Sequence, residues 1–225
     1  VDDDARPTRQ QISDAIDPAG WRLILGAIYT EVLTASLAAA TEAASVAVSA
    51  VGADGQGHLT VDIRADRAVL RLQSAAVGGV SGRDIGLAQA VSAALAAQGW
   101  QPSQAGGAAQ ALEIAIDALD IGLVRPFWKA ILGYADEPGS ELPAALIDPS
   151  GRGPAVWFQQ MDAPRPQRNR IHIDVDVPAE GAAARIGAAL AAGGRLLSDD
   201  AAPAYWVLAD PEGNEACICT WQGRD

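Results

Sequence analysis

Two histidines occur in 225 residues, His58 in "GQGHLTVDIR" and His172 in "NRIHIDVDVP". Imidazole titrates close to neutral pH, so each is a candidate general acid or base, or a metal ligand. Two cysteines, Cys217 and Cys219, lie two apart in "EACICTW". On a strand that spacing puts both thiols on one face, where neighbouring same-face positions rarely reach disulfide geometry. Free thiols and a reducing, cytoplasmic setting are expected. Four of the six tryptophans, Trp128, Trp157, Trp206 and Trp221, fall in the second half of the chain. Indole walls with a few polar groups suit a flat or conjugated ligand. The alternative is that Trp128 and Trp221 are core. The arginines of "PRPQRNR", Arg165, Arg168 and Arg170, read as a solvated loop, with an anion clamp as the alternative.

Composition narrows the partners. The chain is 49% hydrophobic and 20% charged with a net charge of −12, which fits a globular protein. An acidic balance disfavours nucleic acid, whose phosphates need clustered Lys and Arg, and disfavours an anionic membrane surface. No apolar run reaches the roughly 20 residues of a membrane span, and the start, "VDDDARPTRQ", reads as an acidic tail without the apolar core of a leader.

The elements that must position these groups fall into two regions. "GWQPSQAGGAAQ" collects Gly, Pro, Ser and Gln between them, which is linker chemistry. Residues 1–7 are then a tail, 8–99 a first domain, 100–110 a linker and 111–225 a second domain. In the first, "TRQQISDAI" predicts a short helix capped by Thr8 with Gln11 three residues on. "GWRLILGAIYTEVLT" predicts two strands turning at Gly26. "ASLAAATEAASVAVSAV" predicts a helix with Leu37, Ala40, Ala44, Val48 and Val51 on its apolar stripe. "HLTVDIRADRAVLRLQS" predicts two strands around Ala65-Asp66, and "SGRDIGLAQAVSAALAAQG" a helix capped by Ser81 and followed by Gly99. The fold class is α+β, an antiparallel sheet with its helices on one face. The second region runs twice through β-α-β-β-β, from "ALEIAIDAL" and from "NRIHIDVDVP". What repeats is the order of elements.

On "GWRL", the strand pair following "GH" and "GGVSGRDIGLA", residues 8–99 resemble the pterin-4a-carbinolamine dehydratase family. That resemblance implies a dehydrating centre of a His-His-Pro triplet and a third histidine. Here the triplet reads Gly57-His58-Leu59 and the third position reads Ala75, so His58 alone remains as a remnant acid. The alternative is a scaffold kept for packing or association.

On "AIDALDIGLVRPFWKAILGY", "VWFQQMDAPRPQRNRIHIDVDV" and "YWVLADPEGNEACICTW", residues 111–222 resemble the vicinal-oxygen-chelate superfamily, in its glyoxalase-like and bleomycin-resistance-like branch. For the paired βαβββ units that resemblance implies a curved mixed sheet around a cavity. The turn "DPEGN" is the most specific piece, with Asp210 and Asn214 bracketing a reversal at Gly213. Carrying over the ligand positions of metal-dependent members gives Glu113, Gln159 or Gln160, His172 and Cys217, with Glu215 the nearest carboxylate. Zinc on Glu113, His172 and Cys217 is one outcome of that donor set. The expectation is a metal-free and cofactor-free pocket. In it Glu113 would stabilise the His172 imidazolium as an acid–base dyad, against the alternative of a satisfied core histidine. Trp128, Trp157, Gln159, Trp206, Glu215 and Cys217 are the candidate ligand contacts. Both resemblances imply a homodimer. The expected function is a lyase- or isomerase-type enzyme of a small flat metabolite. The alternatives are a non-catalytic binding or resistance protein, and pterin dehydration at His58.

Overall fold

Short polar signals set the element boundaries of the first unit. Thr8 accepts the Gln11 N–H through its hydroxyl, and Gln11 returns its side-chain oxygen to the Thr8 N–H at 2.9 Å. This reciprocal cap starts α1 (Arg9–Ile16). Strands β1 (Arg22–Ile24) and β2 (Ala27–Leu33) form a hairpin, followed by α2 (Leu37–Val51), β3 (Leu59–Arg64), β4 (Arg67–Leu72) and α3 (Gly82–Ala97). The computed structural model describes residues 7–103, 110–138, 145–165, 171 and 173–223. The chain divides into two units, Val1–Ala111 and Leu112–Asp225.

The first unit's sheet has the order β1-β2-β4-β3 and is antiparallel throughout. Period-two alternation sends Ile28, Val32, Leu70 and Leu72 into the core with Trp21, Ala43, Ala47 and Leu95. The Trp21 indole N–H donates to Ser92 Oγ at 2.9 Å, so the buried ring leaves no polar atom unmet. The stripe of α2 differs from the expected one. Ala40, Ala43, Ala44, Ala47 and Val51 are buried, whereas Leu37 and Val48 are more than half exposed. At 3.6 residues per turn those two lie about 60–80° to one side of the stripe's centre. Four alanines allow α2 to lie close to the sheet and to α3, and that close approach, more than residue hydrophobicity, selects the buried face. Trp100 packs on this core, and Ser103 pairs with Glu31 beyond the end of β1.

The second unit runs twice through one pattern. Its first module is β5 (Glu113–Ala118), α4 (Ile121–Leu132), β6 (Ala135–Asp136), β7 (Leu146–Ile147) and β8 (Ala155–Gln160). Its second is β9 (Asp174–Asp176), α5 (Ala182–Ala191), β10 (Arg195–Ser198), β11 (Tyr205–Ala209) and β12 (Glu215–Cys219). Each module makes its own four-stranded mixed sheet, β5-β8-β7-β6 and β10-β11-β12-β9. In both, the first strand lies parallel to the last and occupies an edge. A single core joins the modules, with Phe127, Trp128 and Ile131 of α4 among Ile116, Val156, Ala189, Leu208 and Ile218. Arg185 of α5 donates to the Ile131 carbonyl at 3.1 Å, satisfying one of the orphan acceptors at the end of α4. No helix among the described residues is long and apolar enough to cross a membrane.

Candidate functional site

A cleft of about 550 Å³ opens in the second unit. Residues of both modules line it: Ile114, Ala115, Ile116 and Asp117 of β5, Trp128 of α4, and Ile171, Ile173 and the turn 212–215 from the second module. Apolar side chains thus share the lining with Asp117, Arg165, Glu212, Asn214 and Glu215, a mixture that suits a polar small molecule.

The turn before β12 is the cleft's most constrained wall. Gly213 has φ +97°, a left-handed conformation that glycine adopts without steric cost. Its N–H donates to the Asp210 carbonyl at 3.1 Å, and the Asp210 N–H donates to the Asn214 carbonyl at 2.9 Å. Asp210 itself is fully buried. Its carboxylate accepts from the Glu212 N–H (2.9 Å), the Asn214 N–H (2.9 Å), the Asn214 side-chain amide (2.8 Å) and the Trp128 indole N–H (3.0 Å). Four donors around one buried carboxylate offset the cost of taking it out of water. Glu212 then reaches back to the first module and accepts from the Leu119 and Asp120 N–H groups at 2.8 and 2.7 Å. Those amides open α4, whose unpaired N–H groups favour an anion. Two carboxylates of one turn thus tie the second module to α4. The "DPEGN" spacing announces the turn, but neither Asp210 nor Glu212 was among the expected site residues. A buried acceptor is visible only once Trp128 is seen beside it.

The expected ligand contacts divide. Trp128 and Glu215 line the cleft. Trp128 is 1% exposed, so it belongs to the core and to the cleft wall together. Glu113 is exposed at the first position of β5, and Trp157 and Gln159 are exposed on β8. Register pairs Ala115 with Trp157 and Asp117 with Gln159, so these four share one face of the sheet. Trp206 packs against the common core from β11, while Trp221 is 71% exposed. His172 lies outside the described residues, as do Arg168 and Arg170; its chain neighbours Ile171 and Ile173 both line the cleft. Arg165 pairs with Asp117 at 3.3 Å at the rim.

Cys217 and Cys219 are free and buried on β12. Burial pushes the Cys217 thiol up to about 11, and the Asp174 carboxylate opposite it in the ladder adds to the shift. Among the described residues no group of three or more His, Cys, Asp or Glu side chains is arranged to hold a metal ion.

In the first unit, His58 Nδ1 lies 2.8 Å from the Asp84 carboxylate. Asp84 is fully buried and also accepts the N–H and hydroxyl of Ser81, both at 2.7 Å, at the start of α3. With Asp84 as acceptor, His58 carries its proton on Nδ1 and presents Nε2 as the remaining polar atom. The Ala75 N–H donates to the Gly57 carbonyl, and a Cβ added at Gly57 would meet nothing within 4 Å. The partner Asp84 was not among the expected site residues, although the Ser81-x-x-Asp84 spacing is that of a capping box.

Residues 113–219 match the family model described as a glyoxalase-like domain. The second unit carries a glyoxalase-like domain. A search of curated proteins finds no match. Among solved structures the chain is similar to a glyoxalase/bleomycin resistance protein/dioxygenase family enzyme from Burkholderia phytofirmans PsJN, at 20% identity over 48% of this chain and 95% of that one, with a TM-score of 0.40. It is similar to a glyoxalase-related enzyme from Fulvimarina pelagi at 20% identity, over 49% of this chain and 87% of that one, with a TM-score of 0.40. A fosfomycin resistance protein, FosX, from Listeria monocytogenes aligns at 11% identity over 52% of this chain and 94% of that one, with a TM-score of 0.41. The glyoxalase-like domain covers the whole of the cleft and both of its modules.

Proposed function

We propose that the glyoxalase-like domain binds a small, flat, polar organic molecule in the 550 Å³ cleft and acts on it by proton transfer, as a lyase or isomerase. The observation that supports this most is the cleft itself, where isoleucines and Trp128 stand beside Asp117, Arg165, Glu212, Asn214 and Glu215. His172 is the acid or base, flanked in the chain by Ile171 and Ile173 of the lining. Glu113, at the head of the strand whose next four residues line the cleft, sets its charge state by favouring the imidazolium. The protein works as a homodimer, in keeping with its resemblances, and in the cytoplasm, in keeping with its free thiols. The test has two readouts. Flat heterocycles that quench tryptophan emission identify ligands, and turnover of those ligands is then followed in wild type and His172→Ala. Loss of turnover with binding retained supports the acid–base role. Undiminished turnover rejects it, and binding without turnover in either protein leaves a sequestering or resistance protein.

A second reading is favoured by the His58–Asp84 pair, a buried carboxylate that fixes the tautomer of an imidazole. In that reading the first unit dehydrates a carbinolamine pterin with His58 as its acid. Assay with that substrate decides it. Equal background rates in wild type and His58→Ala exclude it.

A further inference from the structure

β5 meets the cleft along its edge. Four consecutive residues, Ile114 to Asp117, line the cavity, which a strand achieves only by presenting its backbone rather than one face. The direction of the backbone groups follows from the ladder. The Met161 N–H donates to the Ala118 carbonyl at 2.8 Å, and Ala118 is the register partner of Gln160. In a parallel pair a residue bonded in this way turns both its N–H and its C=O toward the neighbouring strand. The even positions, Ile114, Ile116 and Ala118, therefore point into β8. The odd positions, Ala115 and Asp117, point their N–H and C=O away from β8 into the cleft. Past the end of β5 the Leu119 N–H is met by the Glu212 carboxylate, which also lines the cleft, while the Leu119 carbonyl accepts from the Gln160 side chain of β8 at 2.7 Å. Among the described residues no hydrogen-bond partner meets the outward groups of Ala115 and Asp117. An open strand edge that lines a cleft offers strong hydrogen-bonding capacity to a ligand.

The Ala115 carbonyl and the Asp117 N–H are two residues apart on the same side of the strand. They form an adjacent acceptor and donor, complementary to the N–H and C=O of a cis amide. We propose that the ligand of this cleft is a flat cyclic amide, of the lactam, pyridone or pyrimidinone type, docked on the edge of β5. Its ring N–H donates to the Ala115 carbonyl and its ring carbonyl accepts from the Asp117 N–H. The cavity volume suits a molecule of that size and not a protein segment of many residues. Ile114, Ile116 and Ile173 take the apolar ring faces, and Trp128 closes one end. This inference rests on the cleft being the ligand site of the glyoxalase-like domain, and it names the class of ligand.

The probes are 2-quinolone and its N-methyl derivative, which differ in the amide N–H and little in size. Binding is followed by tryptophan quenching, and amide hydrogen exchange is measured residue by residue on the full chain. In the free protein the Ala115 and Asp117 amides exchange fast while those of Ile116 and Ala118 are protected by β8. Saturating 2-quinolone slows exchange at Asp117 about tenfold or more, and N-methylation weakens binding about tenfold. Asp117→Pro, which deletes the outward N–H and no bond to β8, weakens 2-quinolone by a similar factor. Should that variant misfold, the exchange pattern of the wild type decides. Equal binding of the two probes, or no added protection at Asp117, overturns the cyclic-amide docking while leaving the cleft as a site. Binding of neither probe overturns the cyclic amide together with the flat-ligand reading beneath it. Protection of Ala115 and Asp117 that rises with protein concentration in the absence of ligand assigns the edge to a second copy and also overturns it.

Discussion

Asp84 in the first unit and Asp210 in the second are both fully buried, and each locks a local turn by accepting N–H groups from residues two to four away in the chain. They differ in the distant partner. Asp84 faces His58 across 26 positions, and Asp210 takes the indole N–H of Trp128 across 82. An imidazole exchanges a proton near neutral pH and an indole does not. The same buried carboxylate therefore orients an imidazole in one unit and a rigid aromatic wall in the other. Burial and turn chemistry make the carboxylate structural; the residue it reaches decides what chemistry remains.

The comparison is broken most severely by Asp210→Ala. Four donors lose one charged acceptor, and the loss of unfolding free energy is about 3–5 kcal/mol, measured by urea titration with tryptophan emission. A loss below about 1 kcal/mol would show that the turn does not depend on its carboxylate. Asp84→Ala removes fewer contacts and should cost about 2–3 kcal/mol. It should also release the His58 tautomer, visible as a change in imidazole nitrogen chemical shifts; unchanged shifts would mean that Asp84 does not hold the ring. The smallest effect concerns Cys217. Its folded thiol is raised from 9.0 to about 11, so above pH 9 the unfolded chain releases a proton that the folded chain keeps. Stability should therefore fall as pH rises from 9 toward 11, and less so in Cys217→Ala. An identical alkaline slope in the two proteins would contradict a buried, protonated thiol.

Much of the fold was legible residue by residue. The Thr8 cap, the turn at Ala65-Asp66, the twofold β-α-β-β-β order and the reversal at Gly213 each depend on local backbone preference, which neighbouring residues carry. The buried face of α2 was not, because Ala43 and Ala47 take the places expected of Leu37 and Val48 for a reason of inter-element distance. Of the candidate site, the sequence pointed to some residues of the cleft and not to others. Trp128 and Glu215 were expected at the ligand and do line the cleft. Asp84, Asp210 and Glu212 were missed because a carboxylate's role is set by which donors surround it, and those donors come from elsewhere in the chain.

By itself the sequence determined an acidic α+β chain of two patterned regions, with free thiols and two imidazoles as its scarce proton carriers. Periodicity, caps and turn residues act over a few positions, so they survive without knowledge of the whole. The tertiary structure alone decided which strand edge opens into the cleft, and that one buried aspartate reaches a histidine and the other a tryptophan. Those facts are long-range pairings, fixed by the packing of sheets and helices through which donors and acceptors far apart in the chain find each other.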